Sequence, residues 1–208
     1  MVDQYDSMSE LMKQTTENRD WKIITRHRSS HVLVTAVHGG AIERGTTELA
    51  SLTATKGSYD YYTFKAIRKN HNQMLHVTSR HYDEPQLLKM VKDKTVIISL
   101  HGCKGTKETV YIGGKDLGLR EILQKELEKN NFRVKEAPEY IDGMDDDNFV
   151  NCGETNKGVQ LELTEPLRKS FFKNKKYDLH NRENQDNWSA RLYDFADSII
   201  SSINKYEQ

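Results

Sequence analysis

Two apolar runs that each stop at a His-Gly pair constrain this chain more than any other feature. His31-Val-Leu-Val-Thr-Ala-Val37 leads into His38-Gly-Gly, and Thr95-Val-Ile-Ile-Ser-Leu100 leads into His101-Gly. Near-continuous β-branched runs of this length predict strands covered on both faces, the signature of a parallel sheet packed between helices. Helical signals separate them. Thr46 to Leu52 reads as a helix with a Thr cap, and Pro85 opens another over 86–93. Leu119 to Asn130 carries Leu119, Ile122, Leu123 and Leu127 on one face. The tail from Asn187 to Tyr206 spaces Trp188, Leu192, Phe195, Ile199 and Ile203 as the longest helix. Further strands are expected at Tyr59–Ile67, Met74–Thr78, Thr109–Ile112, Phe132–Lys135 and Val159–Leu163, with a short polar helix over Ser9–Thr16 and a strand at Trp21–Ile24. Strands alternating with helices predict a single α/β/α sandwich over residues 1–208, with a mixed, largely parallel sheet and residues 1–30 at its periphery.

Composition excludes several classes. Lys and Arg number 31 against 31 Asp and Glu, so the chain lacks the overall basic footprint of a nucleic-acid binder. No apolar run approaches the ~18–20 residues of a membrane span. The first twenty residues are acidic and polar, without the basic-then-apolar order of a secretory signal, so synthesis in a cytoplasm is expected. Two cysteines, Cys103 and Cys152, make no disulfide framework.

In an open α/β sheet, ligands bind beyond the carboxyl ends of the strands. Here those ends carry His38-Gly-Gly-Ala-Ile-Glu43, His101-Gly-Cys-Lys-Gly and, within the 159–163 run, Glu162. Two His and one Glu form a catalytic-type zinc ligand set that leaves a position for water. The glycines let the backbone turn sharply beside it. Glu162 is then the candidate proton acceptor. It lies in an apolar strand, where an unpaired carboxylate is costly, although period-two alternation leaves open that it faces solvent. A lone strand-end His is ordinarily a hydrogen-bonded structural residue, and two strand-terminal His-Gly pairs strengthen the functional reading. His27, His31, His71, His76 and His180 carry no signal of ligation. Cys103 reads as a small buried residue, and Asp145-Asp-Asp147 as a solvated acidic turn. P-loop, dinucleotide-binding, nucleophile-elbow and His-Glu-x-x-His motifs are all missing.

Taken together, the His38 to Glu43 segment, Ile98-Ser-Leu-His101-Gly-Cys and Gln160-Leu-Glu162-Leu resemble the bacteriophage poly-γ-glutamate hydrolases over nearly the whole chain. That family is related in fold to the zinc carboxypeptidases. The resemblance implies one zinc per chain on His38, Glu43 and His101, with Glu162 as general base. Carboxypeptidases usually place two residues between the first His and the Glu, whereas here there are four, so Glu43 has to reach back through a Gly-flexed loop. The implied reaction is hydrolysis of γ-glutamyl amide bonds within the polymer. Every residue of that polymer carries a free α-carboxylate, so Arg44, Arg80, Lys104 and Arg168, beside the motif segments, are the candidate substrate-binding residues. Arg80 or Arg168 would also face the developing oxyanion. A monomer acting outside the cell after phage lysis is expected. Rival readings are a zinc deacylase of small N-acyl amino acids and a non-catalytic, zinc-stabilised module that binds an acidic polymer.

Overall fold

The architecture follows from strands that are buried from end to end. In the computed structural model, which describes residues 3–208, all nine residues of β2 (Val32–Gly40) are buried. Its odd and even positions serve different cores. Val32, Val34 and Ala36 pack with Leu49, Leu123, Leu192 and Phe195 on one face. Leu33 and Val37 pack with Met8, Leu11, Leu87 and Met90 on the other. Each fully buried Leu or Val contributes about 1.5–3 kcal/mol of transfer free energy, which is why such a run cannot sit at a surface.

Among the described residues the sheet has seven strands. With β1 (Trp21–Arg26), β3 (Asp60–Ala66), β4 (Val96–Cys103), β5 (Val110–Gly113), β6 (Val134–Glu136) and β7 (Val159–Thr164), its order is β1-β3-β2-β4-β7-β5-β6. The central pairs β3–β2, β2–β4 and β4–β7 are parallel, as is β5–β6, whereas β1–β3 and β5–β7 are antiparallel. This is the mixed, largely parallel α/β sheet expected. Helices α2 (Thr46–Gly57), α4 (Leu117–Lys129), α5 (Glu165–Ser170) and α7 (Ala190–Tyr206) contribute to the first core, while α1 (Met8–Gln14) and α3 (Pro85–Val91) contribute to the second. A short α6 (Leu179–Glu183) precedes α7. No helix among the described residues is long and apolar enough to cross a membrane.

Three local expectations are corrected. Met74–Thr78 is not a strand: a 3₁₀ turn, Asn72–Leu75, follows His71 in the left-handed region (φ 60°). Leu75 and Val77 are buried in the second core. The neighbouring strand β3 is already paired on both sides, by β1 and β2, so it offers no ladder. Helix α2 is capped by Gly45 (φ 96°) rather than a Thr, because Thr46 turns its hydroxyl to Glu43 O at 2.8 Å. The long last helix starts at Ala190, three residues after Asn187, because Ser189 is extended. The N-terminal segment expected at the periphery supplies edge strand β1, yet it also buries Tyr5, Met8, Leu11 and Trp21 in the second core. Residues 1 and 2 of that segment lie outside the described residues.

Candidate metal centre and catalytic cleft

Strand β2 ends where the chain must turn back on itself. Gly40 takes a positive φ of 67°, and a Cβ there would lie 2.3 Å from Ala66 O, so no other residue suits this corner. The turn closes when Glu43 N–H donates to His38 O at 2.9 Å, which returns the Glu43 side chain to the imidazole it left. Its carboxylate Oε1 lies 3.2 Å from His38 Nδ1. Parallel strand β4, adjacent to β2, ends at the same level and brings His101 Nδ1 to 3.1 Å from His38 Nδ1 and 3.8 Å from Glu43 Oε2. The structure thus brings His38, Glu43 and His101 to one point.

Both rings use their other nitrogen for the protein. His38 Nε2–H donates to Val77 O at 2.7 Å, and His101 Nε2 lies 2.8 Å from Ser99 Oγ. That arrangement leaves both Nδ1 atoms for the cluster. Burial works against the charge of Glu43, but His38 and His101 beside it outweigh this and hold its pKa at about 2. Burial also works against His38⁺, yet the Glu43 carboxylate raises the His38 pKa. His101 gains less from Glu43, so burial pushes it down to about 3 and keeps it neutral. Glu43 Oε2 is buried without a hydrogen-bond partner among the described residues. A buried carboxylate with one orphaned oxygen, facing two converging imidazole nitrogens, fits a divalent cation, and a two-nitrogen, one-carboxylate set suits zinc.

Glu162 stands beside this cluster because β7 pairs with β4 in a register that sets Glu162 opposite His101. All six residues of β7 are buried, since β4 and β5 flank it and both faces are covered. The alternation therefore does not turn Glu162 to bulk solvent. Instead it lines a cleft of about 1110 Å³ that also reaches His38, Glu43 and His101. Burial, reinforced by the Glu43 charge, pushes its pKa up to about 8. Gln160 Nε2 donates to its Oε1 at 3.1 Å.

The four expected substrate-binding residues all line this cleft, in different states. Arg44 and Lys104 are exposed and have no ion-pair partner among the described residues; Arg44 lies over the Tyr177 ring at 5.7 Å. Arg80 is half exposed and faces Asp145 at 3.5 Å and Asp147 at 3.3 Å. Arg168 is buried, with its guanidinium donating to the backbone oxygens of Leu163, Arg44 and Cys103. Cys103 is only half-buried.

A family model described as poly-gamma-glutamate hydrolase matches residues 5–198. The chain belongs to the poly-gamma-glutamate hydrolase family. A solved structure of a bacteriophage poly-gamma-glutamate hydrolase matches it with a TM-score of 0.95 at 29% identity, covering 99% of both chains. An apo, zinc-free form of YndL matches with a TM-score of 0.89 at 30% identity, covering 98% of each. Among curated relatives from Bacillus subtilis (strain 168), UPF0714 protein YndL is 32% identical over 202 residues, 95% of this chain and 77% of that protein. The SPbeta prophage-derived UPF0714 protein YoqZ is 30% identical over 206 residues, 98% of this chain and 73% of that protein.

In this member of the poly-gamma-glutamate hydrolase family, sequence reasoning passed over His76. Its ring lies tilted against that of His38, with centroids 4.0 Å apart and an interplanar angle of 30°. Its donor atom lies within 4.8 Å of those of His38 and Glu43. Nothing in the sequence announces this, because His76 arrives on an irregular crossing segment with no strand end or periodicity to mark it.

Proposed function

We propose that the protein is a zinc-dependent hydrolase that cleaves γ-glutamyl amide bonds within poly-γ-glutamate. The observation that carries this reading is the convergence of His38, Glu43 and His101 beside Glu162 in one cleft, in a chain of this family. Those three side chains would hold the ion. When bound, zinc supplies a Lewis acid that acidifies water and polarises a scissile carbonyl. Glu162 takes the water proton on its carboxylate and returns it to the leaving amide nitrogen. A carboxyl already biased towards its protonated form accepts a proton more readily than an ordinary one, and a neighbouring cation keeps it ionised beforehand. Gln160 donates a hydrogen bond to Oε1 and so helps to orient this carboxylate.

Substrate is held by positively charged groups that have no ion-pair partner among the described residues. Arg44 and Lys104 meet that description and suit the α-carboxylate on each polymer unit. Arg80 is shared with two aspartates, and Arg168 braces the backbone under the cleft, so both contribute to shape more than to grip. The test is zinc content and polymer shortening measured on one purified sample. A ladder of shorter products, lost on chelation and restored by zinc, supports the reading. Cleavage confined to small N-acyl amino acids would instead identify a deacylase.

A further inference from the structure

We propose that the Tyr111 hydroxyl binds the α-carboxylate of the leaving unit, which makes Tyr111 a specificity-determining residue of the proposed reaction. This deepens the poly-γ-glutamate reading above and rests on it. The sheet register is where it starts. Strand β7 pairs with β4 so that Glu162 stands opposite His101, and with β5 so that Glu162 stands opposite Tyr111. Strand β5 in turn sets Tyr111 opposite Lys135 of β6. Directly paired residues share one face of a sheet, on strands about 4.8 Å apart. His101, Glu162, Tyr111 and Lys135 therefore form one row, with the proposed metal centre on one side of the base and the phenol on the other. Tyr111 is half-buried and lines the cleft. The hydroxyls of Tyr82 and Tyr177 donate to Val37 O and Glu165, whereas that of Tyr111 has no hydrogen-bond partner among the described residues.

The chemistry of the polymer says what meets the far side of the base. In the proposed reaction Glu162 takes its proton on the His101 side and delivers it to the leaving nitrogen, so the leaving unit extends towards Tyr111. In a γ-linked chain that nitrogen sits on the carbon that bears the unit's own α-carboxylate. The carboxylate of the acyl unit is separated from the scissile carbonyl by the length of its side chain. The substrate charge nearest the cut is therefore that of the leaving unit. A phenol suits it there, because it donates to a carboxylate yet carries no positive charge to pair with Glu162. Glu139 and Asp142 also line the cleft, and Asp142 O accepts the Gly114 N–H just beyond β5. A carboxylate can rest beside them only where donors meet it. Tyr111 is such a donor, with the exposed Lys135 next in the row.

The experiment compares zinc-loaded wild type with Tyr111→Phe on two short γ-linked oligomers. They differ only on the nitrogen side of the cleaved bond, which carries glutamate in one and 4-aminobutyrate, glutamate without its α-carboxylate, in the other. Losing a hydrogen bond to a charged group should lower kcat/KM of Tyr111→Phe on the glutamate oligomer by ~10–100-fold. The aminobutyrate oligomer should be cut equally well by both proteins, and wild type should prefer the glutamate oligomer by at least the same factor. Equilibrium binding in the Glu162→Gln background should weaken on adding Tyr111→Phe for the glutamate oligomer alone. Equal losses on both oligomers would mean that Tyr111 merely steadies Glu162, and that result, like no loss on either, overturns the proposal. Wild type that cuts neither these oligomers nor long polymer overturns the hydrolase reading, and this role with it.

Discussion

Glu162 is a carboxyl placed where its charge is unwelcome, and its proposed work depends on that placement. Glu162→Gln keeps the shape of the side chain and replaces no proposed ligand. Zinc content should therefore stay at the wild-type level while kcat falls by about 10²–10⁴-fold, with KM little changed. Near-normal kcat with zinc present would transfer the role of base to another residue. Glu165 is the neighbour in sequence, but Tyr177 and Lys169 hydrogen-bond it and hold its pKa low. The same residue sets a pH dependence in metal-free protein. Its pKa is about 8 when folded against 4.5 ordinarily, so between those values the folded chain keeps a proton that the unfolded chain has lost. Stability must fall as pH rises through that window. His101, at about 3 against 6.5, acts oppositely, but only below 6.5, and the raised His38 acts with Glu162. We expect metal-free wild type to lose more stability between pH 6.5 and 8 than Glu162→Gln does, read from denaturant midpoints in chelator. Parallel slopes would contradict the raised pKa.

At the scale of elements, the site depends on how closely α5 approaches the end of β4. A Cβ on Gly102 would lie 2.7 Å from Arg168 Cζ and 2.9 Å from Glu43 Cβ, so only glycine lets both pack against the strand. Gly102→Ala should leave the sheet intact, displace Arg168 and Glu43, and weaken zinc binding and activity together. Wild-type affinity in that variant would show that the loop yields without consequence. The strands that carry His38, His101 and Glu162 were legible because burial on both faces writes itself into sequence as apolar runs. The Gly-flexed return of Glu43 was legible too, since only a tight corner brings it back to His38. Residues 74–78 misled because their apolar residues fill a core beside a strand with no free edge. His76 was illegible for a different reason. Its pairing with Asp3 spans 73 residues and depends on how the N-terminal segment packs, which no local pattern encodes.

For the whole molecule, the question is whether the fold needs its proposed metal. A structural zinc supplies folding free energy to a domain too small to bury its own core, and such domains unfold when chelated. This chain of 208 residues has two apolar cores, one on each side of a seven-stranded sheet. Of the proposed ligands, His38 and His101 stand at the carboxyl ends of β2 and β4, beyond the stretch Val32–Thr35 that pairs with Val96–Ser99, and Glu43 lies on the turn that follows β2. In metal-free protein the His38–Glu43 pair offsets part of the charge that the cation would balance. Removing zinc should therefore abolish activity while leaving the far-ultraviolet circular dichroism and a cooperative unfolding transition. The unfolding midpoint should still drop, because a ligand at 1,000 times its Kd adds about 4 kcal/mol to the folded state. Adding zinc back should restore activity and midpoint together. Loss of the circular dichroism signal on chelation would instead mean that the ion holds the fold, and the cleft would then have to be read as a metal-stapled binding surface.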